Sequence, residues 1–270
     1  MRMTRATANP AFLKFQILAT LAICFCIASP SFSSQDELHR STIKVNGIEI
    51  SLLPFNLPST NKRFWLSQFE ITNQQYLRFV QLSGYDGSDH PSSKVNEPFF
   101  HNYRRNPRWI KELPGRFPSN EANHPACYLN WWHAKKFCDW LSEETGKTVR
   151  LPTVEEWTFA AAGNEKRAYP WGNTWQVKRC NSSGGKDGFP KSAPVGSFAK
   201  GATPEGVHDM AGNIWEWSED QVLLGGPWCL GPEELKISFH GKESIDQAND
   251  KFGFRIVVEQ PQHNQKQSTR

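Results

Sequence analysis

The side chains that could carry redox or acid–base chemistry in this chain are few and widely spaced. Six of its 270 residues are cysteine and eight are histidine. No two cysteines have the C-x-x-C spacing of a zinc ribbon or a thioredoxin-like site. No histidine pair has the i, i+4 spacing that places two metal ligands on one face of a helix. The cysteines and histidines that matter below are Cys127, Cys138, Cys180, Cys229, His124, His133, His208 and His240. Spacing alone does not gather them into a site.

Residues 1–33 have the order of a secretory signal peptide. Arg2, Arg5 and Lys14 precede an apolar run over residues 15–27, and small residues follow as far as Ser34. The run is shorter than the roughly 20 apolar residues that span a bilayer, which disfavours an uncleaved anchor. A lipid-attachment site at Cys24 is also disfavoured, because the apolar run continues past it. We expect a secreted or periplasmic protein that is not held at a membrane after signal cleavage.

Cleavage changes both the charge and the cysteine count. The full chain has 31 Lys+Arg and 27 Asp+Glu, and the signal segment removes three of the basic residues and no acidic one. The mature chain is therefore close to neutral, which argues against a nucleic-acid partner. Four cysteines remain, and an oxidising compartment would allow three complete pairings or leave Cys229 as a free thiol.

Short strands and a few capped helices should position these residues. Residues 43–45 and 48–50 alternate in hydropathy around Asn46 and Gly47, which predicts a hairpin with a type I′ turn. Residues 64–69 predict another strand. Capping boxes begin helices at Thr72 and Thr153, and Asn130 can cap a third helix. Gly84, Gly146 and Gly163 should end these helices. Residues 85–123 predict long ordered loops, and residues after 169 predict turns and short strands.

Ordered motifs in the middle of the chain resemble those of the formylglycine-generating-enzyme, or sulfatase-modifying-factor, family. They are HPACYLNW at 124–131, RLPTVEEW at 150–157, YPWG at 169–172, GVHDMAGNIWEW at 206–217, GGPW at 225–228 and FGFR at 252–255. The resemblance implies an α+β, variant C-type-lectin-like fold with short antiparallel strands, few helices and long loops. Together with the residue patterns, it divides the chain into a signal peptide at 1–33, an N-terminal leader and hairpin at 34–62, the family domain at 63–260 and a polar tail at 261–270. We interpret five tryptophans as core residues: Trp131, Trp157, Trp171, Trp215 and Trp217.

The resemblance also implies structural calcium in two loops. In the first, the Asp209 and Glu216 side chains and the Gly212 and Ile214 carbonyls would be ligands. In the second, Asn181 and Asp187 would give side chains, and Ser182 and Phe189 would give carbonyls. Calcium prefers six to eight oxygen ligands of these kinds. Turn capping by Asp209, or pairing of Glu216 with a nearby Lys or Arg, is the alternative.

The catalytic corner departs from the family pattern. The family's oxidase holds copper(I) with two cysteines after a Gly-Gly-Ser motif, and thiolates suit that soft ion. Here Pro227 replaces the serine, Cys229 stands one residue early, and no cysteine follows it. His240 lies in the segment where the family binds substrate, and a histidine there could serve as acid or base, so Cys229 and His240 are the candidate catalytic residues. An exposed loop histidine is the alternative for His240.

Two functional hypotheses follow. The first is an exported enzyme of oxidative tailoring or maturation, acting on a peptide-like or small-molecule substrate without the copper-dithiolate site. The periplasmic factor that matures the pyoverdine chromophore is the nearest analogue, and any redox metal stays unknown. The second is a non-catalytic accessory or binding module for an exported metalloenzyme or sulfatase partner. A true formylglycine-generating oxidase is least supported, because one thiol cannot form the two-sulfur site. Iron-dependent sulfoxide synthases of the family use an added helical domain with an H-x-x-x-H-x-E motif, which this chain lacks.

Overall fold

The N-terminal hairpin of the fold forms where the sequence predicts it. The computed structural model describes residues 39–85, 119–183 and 187–260. Strands β1 (Ser41–Val45) and β2 (Ile48–Leu57) pair in antiparallel register around the turn. Asn46 and Gly47 both have positive φ, at 48° and 83°, which is what a type I′ turn requires. The expected signal peptide, most of the long loop over 85–123 and the polar tail lie outside the described residues.

Three α-helices occur in the described part of the chain, and each begins at a capping box. They are α1 (Asn73–Ser83), α2 (Trp131–Thr145) and α3 (Val154–Ala162). The N-cap side chains of Thr72, Asn130 and Thr153 accept hydrogen bonds from the backbone three residues later. In α2 the reciprocal partner is His133, whose Nδ1 accepts from the Asn130 backbone at 3.1 Å. That contact gives His133 a capping role.

Two sheets complete the domain. The larger has the order β1-β2-β3-β8-β4, with β3 at Lys62–Ser67, β4 at Val149–Arg150 and β8 at Val257–Glu259. The smaller has the order β6-β5-β7, with β5 at Trp215–Trp217, β6 at Leu223–Leu224 and β7 at Phe252–Gly253. Only the β5–β7 pair is parallel among the described strands. Because β2 pairs with β3, the hairpin belongs to the same sheet as the rest of the domain.

An aromatic core joins the helices to the sheets. Tyr76 and Phe79 of α1 pack on Phe137 of α2, and Phe254 closes the group with ring centroids 5.4 Å from Phe137. Trp157 and Trp217 are fully buried, and Trp131 and Trp215 nearly so, as expected. Trp171 differs, since it is half-buried and stacks on Tyr169 near the surface. No described helix is both long and apolar enough to cross a bilayer.

Candidate functional site

The catalytic corner is a tight turn tied to two neighbouring loops. Gly225 and Gly226 both have positive φ, and a side chain on Gly226 would meet Leu235. The Gly225 carbonyl accepts from the Gly212 N–H at 3.0 Å, and the Trp228 N–H donates to the Asn213 carbonyl at 3.0 Å. The backbone therefore needs the glycine pair, and Pro227 between these contacts is buried.

Cys229 is the most exposed cysteine in the described chain. It is partly exposed, whereas Cys127, Cys138 and Cys180 are buried. Cys229 forms no disulfide in the structure, which agrees with the free-thiol alternative. Burial raises the pKa of Cys180 to about 12 and raises those of Cys127 and Cys138 further. In the metal-free protein these three thiols are therefore protonated and poorly nucleophilic.

Trp228 of the corner and Phe239 of the following loop each contact another aromatic or basic side chain. Phe239 is 41% exposed and stacks on Trp215, with ring centroids 6.1 Å apart. The Lys251 ammonium lies 5.8 Å from the centre of the Trp228 ring, a cation–π contact. His240 is exposed. The backbone of its neighbour Gly241 exchanges two hydrogen bonds with Leu223 of β6, one through its N–H and one through its carbonyl. The structure places His240 on the same loop as Phe239 without a described hydrogen-bond partner for its ring.

The other expected histidines have separate environments. Nδ1 of His124 lies 3.2 Å from the Ser192 hydroxyl, and burial lowers the pKa of this histidine. His208 stacks on Phe69, with ring centroids 4.9 Å apart, and its pKa is also lowered by burial. The described residues include no group of three or more His, Cys, Asp or Glu side chains arranged to hold a metal.

The first expected calcium loop contains a buried ion pair. Both oxygens of the Glu216 carboxylate accept from Arg255, at 2.6 and 2.7 Å, and Oε2 also accepts from the Trp157 indole at 2.7 Å. Glu216 and Arg255 are fully buried. Pairing of Glu216 with an arginine, the alternative to calcium binding, is therefore present in the structure. Asp209 is buried at positive φ, and its Oδ2 accepts from the Gly196 N–H at 2.7 Å.

Asn213 joins the two expected calcium loops. Its Oδ1 accepts from Asn181 Nδ2 at 3.1 Å, and its backbone N–H donates to the Asn181 carbonyl at 3.0 Å. Its Nδ2 donates to Glu70 Oε1 at 2.9 Å. A side chain on Gly212, beside it, would clash with the Asn181 carbonyl, so the loops can approach this closely only with glycine there. The sequence motif includes Asn213, but its spacing did not reveal this linking role.

The second loop brings its four expected ligands into one turn. The Asp187 carboxylate accepts from the Ser182 N–H at 3.3 Å and from the Phe189 N–H at 3.1 Å. Asn181 is buried, with 2% of its surface exposed. Residues 184–186 of this loop lie outside the described chain. A carboxylate, an amide and backbone carbonyls in one turn fit a hard cation such as calcium, and in the first loop the Asp209 carboxylate fits in the same way.

Glu70 is the residue of this region that the motif analysis did not assign. It precedes α1 in the apolar stretch that includes Phe69 and Ile71, and it is 1% exposed. Burial first, then the charges of Asp209 and Glu216, raise its pKa well above the usual value. The sequence signal for it was a glutamate flanked by large apolar residues just before an N-cap. A glutamate is rarely buried without a partner, so such a position points to a polar contact in the interior.

A family model described as "Sulfatase-modifying factor enzyme 1-like domain" matches residues 53–260. The chain belongs to this family. The match begins within β2, which fits the pairing of the hairpin with the main sheet. The recognition made from the motifs is thereby confirmed.

The chain is similar to both an inactive and an active curated relative. It is 33% identical over 167 residues to "Inactive C-alpha-formylglycine-generating enzyme 2" of Bos taurus, covering 53% of each chain. It is 31% identical over 192 residues to "Formylglycine-generating enzyme" of Thermomonospora curvata, covering 58% of this chain and 59% of that one. The chain thus spans little more than half the length of these relatives. Identity alone does not separate the two functions.

A solved structure supports the fold. PvdO from Pseudomonas aeruginosa matches with a TM-score of 0.57 and 18% identity, covering 83% of this chain and 93% of that one. At that identity the likeness concerns the fold only. With the short strands and three described helices, it confirms the α+β, C-type-lectin-like architecture predicted from the motifs.

Proposed function

We propose that this protein is an exported maturation factor of the sulfatase-modifying-factor family that binds a peptide-like or small-molecule substrate at the Cys229 corner. The observation that carries the proposal is the single accessible thiol. Cys229 reaches solvent at the family's substrate corner, and the other three described cysteines are buried. A copper(I) site with two thiolates has no second ligand there. Maturation at this corner therefore runs without the copper-dithiolate centre.

The side chains around Cys229 support substrate binding. Phe239 offers an exposed ring backed by Trp215, and the Lys251 ammonium covers the Trp228 ring. Aromatic faces with a nearby cation suit planar or anionic groups. An oxidative tailoring step here transfers two electrons and two protons from substrate to dioxygen, giving hydrogen peroxide. A bound redox metal would accept those electrons, and Cys229 would be the soft ligand that the corner offers it.

A cysteine-containing sulfatase peptide tests the departure from the oxidase directly. The mature protein should produce no aldehyde from this peptide, with or without added copper, because one thiol cannot hold copper(I) in the family geometry. An aldehyde-trapping assay with peroxide detection measures both products. Copper-dependent aldehyde formation that is lost in Cys229→Ser would return the chain to the oxidase branch.

A non-catalytic accessory function is the second candidate. It is supported by the likeness to a relative named inactive, at 33% identity against 31% for a relative named active. Metal analysis of the purified native protein separates the two. A stoichiometric redox metal supports the maturation enzyme, and calcium alone or no metal supports a binding module.

Export is part of the proposal and has its own measurement. The basic, apolar, small order of residues 2–34 supports cleavage near Ser34. Mass spectrometry of the native protein should find a chain that begins near that residue. Intact peptides from residues 1–14 in the soluble fraction would contradict export by this route.

A further inference from the structure

Three carboxylates and one guanidinium are buried together where the first loop meets the start of α1. Glu70, Asp209, Glu216 and Arg255 have exposed fractions of 1%, 7%, 0% and 0%. With all three carboxyls ionised, one guanidinium balances one of them, and the group holds two uncompensated negative charges. His208, the neighbouring histidine, does not supply a charge readily, because burial lowers its pKa. Buried charges are stable only when they are paired or bind a metal.

Arg255 is committed to Glu216. Its Nε and Nη2 bond the two Glu216 oxygens, and its remaining donors reach the carbonyls of Ser67 and His208. Neutral groups serve the other two carboxylates: Asn213 donates to Glu70 Oε1 and the Gly196 N–H donates to Asp209 Oδ2. Glu70 Oε2 is buried and has no hydrogen-bond partner among the described residues. An unpartnered carboxylate oxygen in the interior marks an absent ligand.

The Glu70 and Asp209 carboxyl groups are close enough for each to shift the pKa of the other. Two ionised carboxylates have only acceptors, so neither can donate to the other. Either a proton or a cation must therefore be shared between them. The excess of two negative charges matches a divalent ion, and carboxylate oxygens on an irregular loop are typical ligands of calcium.

We propose that Glu70 and Asp209 bind one hard divalent cation, best matched by calcium, so that the ligand set of the first loop includes a residue from the segment before α1. The family resemblance gives Asp209, Gly212, Ile214 and Glu216 for this loop and does not give Glu70. The new ligand would cross-link the N-terminal part of the domain to the loop that precedes β5. This inference does not depend on the proposed function.

The test compares calcium binding by the full chain and by Glu70→Gln, both carrying Asp187→Asn to weaken the second loop. The amide can still accept from Asn213 and can donate to Asp209. In chelator, Glu70→Gln should therefore melt no lower than its parent, because a like-charge contact has become a hydrogen bond. Calcium should raise the melting temperature of the parent and leave that of Glu70→Gln nearly unchanged. Calorimetry should show calcium affinity weakened on the order of tenfold or more.

Glu156→Gln is the matched control, since Glu156 is 2% exposed and bound to an arginine outside this group. It should lower stability and keep the full calcium shift. Terbium luminescence excited through tryptophan gives a second readout of cation binding. Glu70→Asp is a second variant, which keeps the charge and should retain a reduced calcium shift of the melting temperature. An unchanged calcium shift in Glu70→Gln would overturn the assignment. A parent chain insensitive to calcium would also overturn it and leave a shared proton between the two carboxyls.

Discussion

At the scale of single residues, burial decides which thiol can react. Cys127, Cys138 and Cys180 are buried, and only Cys229 among the described cysteines is partly exposed. The sequence identified Cys229 through its place after Gly225 and Gly226, because a motif marks position along the chain. It left the pairing of the four cysteines open, since pairing depends on three-dimensional distance. In the structure Cys229 forms no disulfide.

Alkylation of the native protein at pH 8 should therefore label Cys229 and spare the other three described cysteines. With its pKa raised to about 12, Cys180 has a thiolate fraction on the order of one in ten thousand at that pH. Iodoacetamide labelling followed by peptide mapping measures each site. Denaturant should equalise the labelling, which serves as the control. Native labelling of Cys180 at a rate comparable to that of Cys229 would contradict the burial described here.

At the scale of elements, the helix ends were predictable and the strand ends were less so. Thr72, Asn130 and Thr153 all cap the helices expected of them, because a capping box is a local contact between residues three apart. Strand β2 continues to Leu57, well past the predicted hairpin, since its far half is defined by pairing with β3. Strand limits depend on a partner that the local sequence does not contain.

Removing the cap of α3 should weaken the domain by an amount typical of N-caps. Thr153 Oγ1 accepts from the Glu156 backbone N–H at 3.1 Å, and the Glu156 carboxylate accepts in return from the Thr153 N–H. Thr153→Ala should lower the free energy of unfolding by about 0.5–2 kcal/mol. Thr153→Ser keeps the hydroxyl oxygen and should lower the free energy of unfolding by only about a few tenths of a kcal/mol. Urea unfolding measures both, and equal losses in the two variants would show that the hydroxyl contact is not what stabilises the helix.

The same region gives the domain a defined response to acid. Burial alone would raise the pKa of Glu156 and of Glu259, but hydrogen bonds and charges from Arg150 and Lys62 outweigh it and lower both. A lowered folded-state pKa means that the stabilisation is present above the ordinary value of 4.5 and is lost as pH falls below it.

Urea unfolding followed from pH 7 down to pH 3 should show this loss beginning near pH 4.5. Arg150→Met should flatten that part of the profile, because it removes the group that lowers both pKa values. Lys44→Met is the matched control, since the Lys44–Glu49 pair is exposed and remote in the fold. An Arg150→Met profile as steep as that of the parent would mean that other carboxyls carry the acid response.

At the scale of the whole molecule, the fold depends on a buried arginine that connects distant segments. Arg255 bonds Glu216 of β5, the Ser67 carbonyl of β3 and the His208 carbonyl of the first loop. The family motif placed Arg255 correctly in the sequence. It did not indicate Glu216 as its partner, because the two residues meet only through the packing of the two sheets. The sequence did not predict that Glu70 lies near Asp209, for the same reason.

Breaking the Arg255–Glu216 pair should destabilise the domain strongly and in a way that is not additive. Arg255→Met leaves the buried Glu216 carboxylate beside two other carboxylates, and loss of one partner of a buried pair costs about 3–5 kcal/mol. Glu216→Gln alone leaves the guanidinium without its counter-charge and should also be destabilising. The double variant removes both charges, keeps an oxygen for the Trp157 indole, and should be more stable than the sum of the single losses predicts. Chemical denaturation of the four proteins in chelator gives the coupling free energy. Additive losses would show that the two groups act independently, despite the 2.6 Å contact between them.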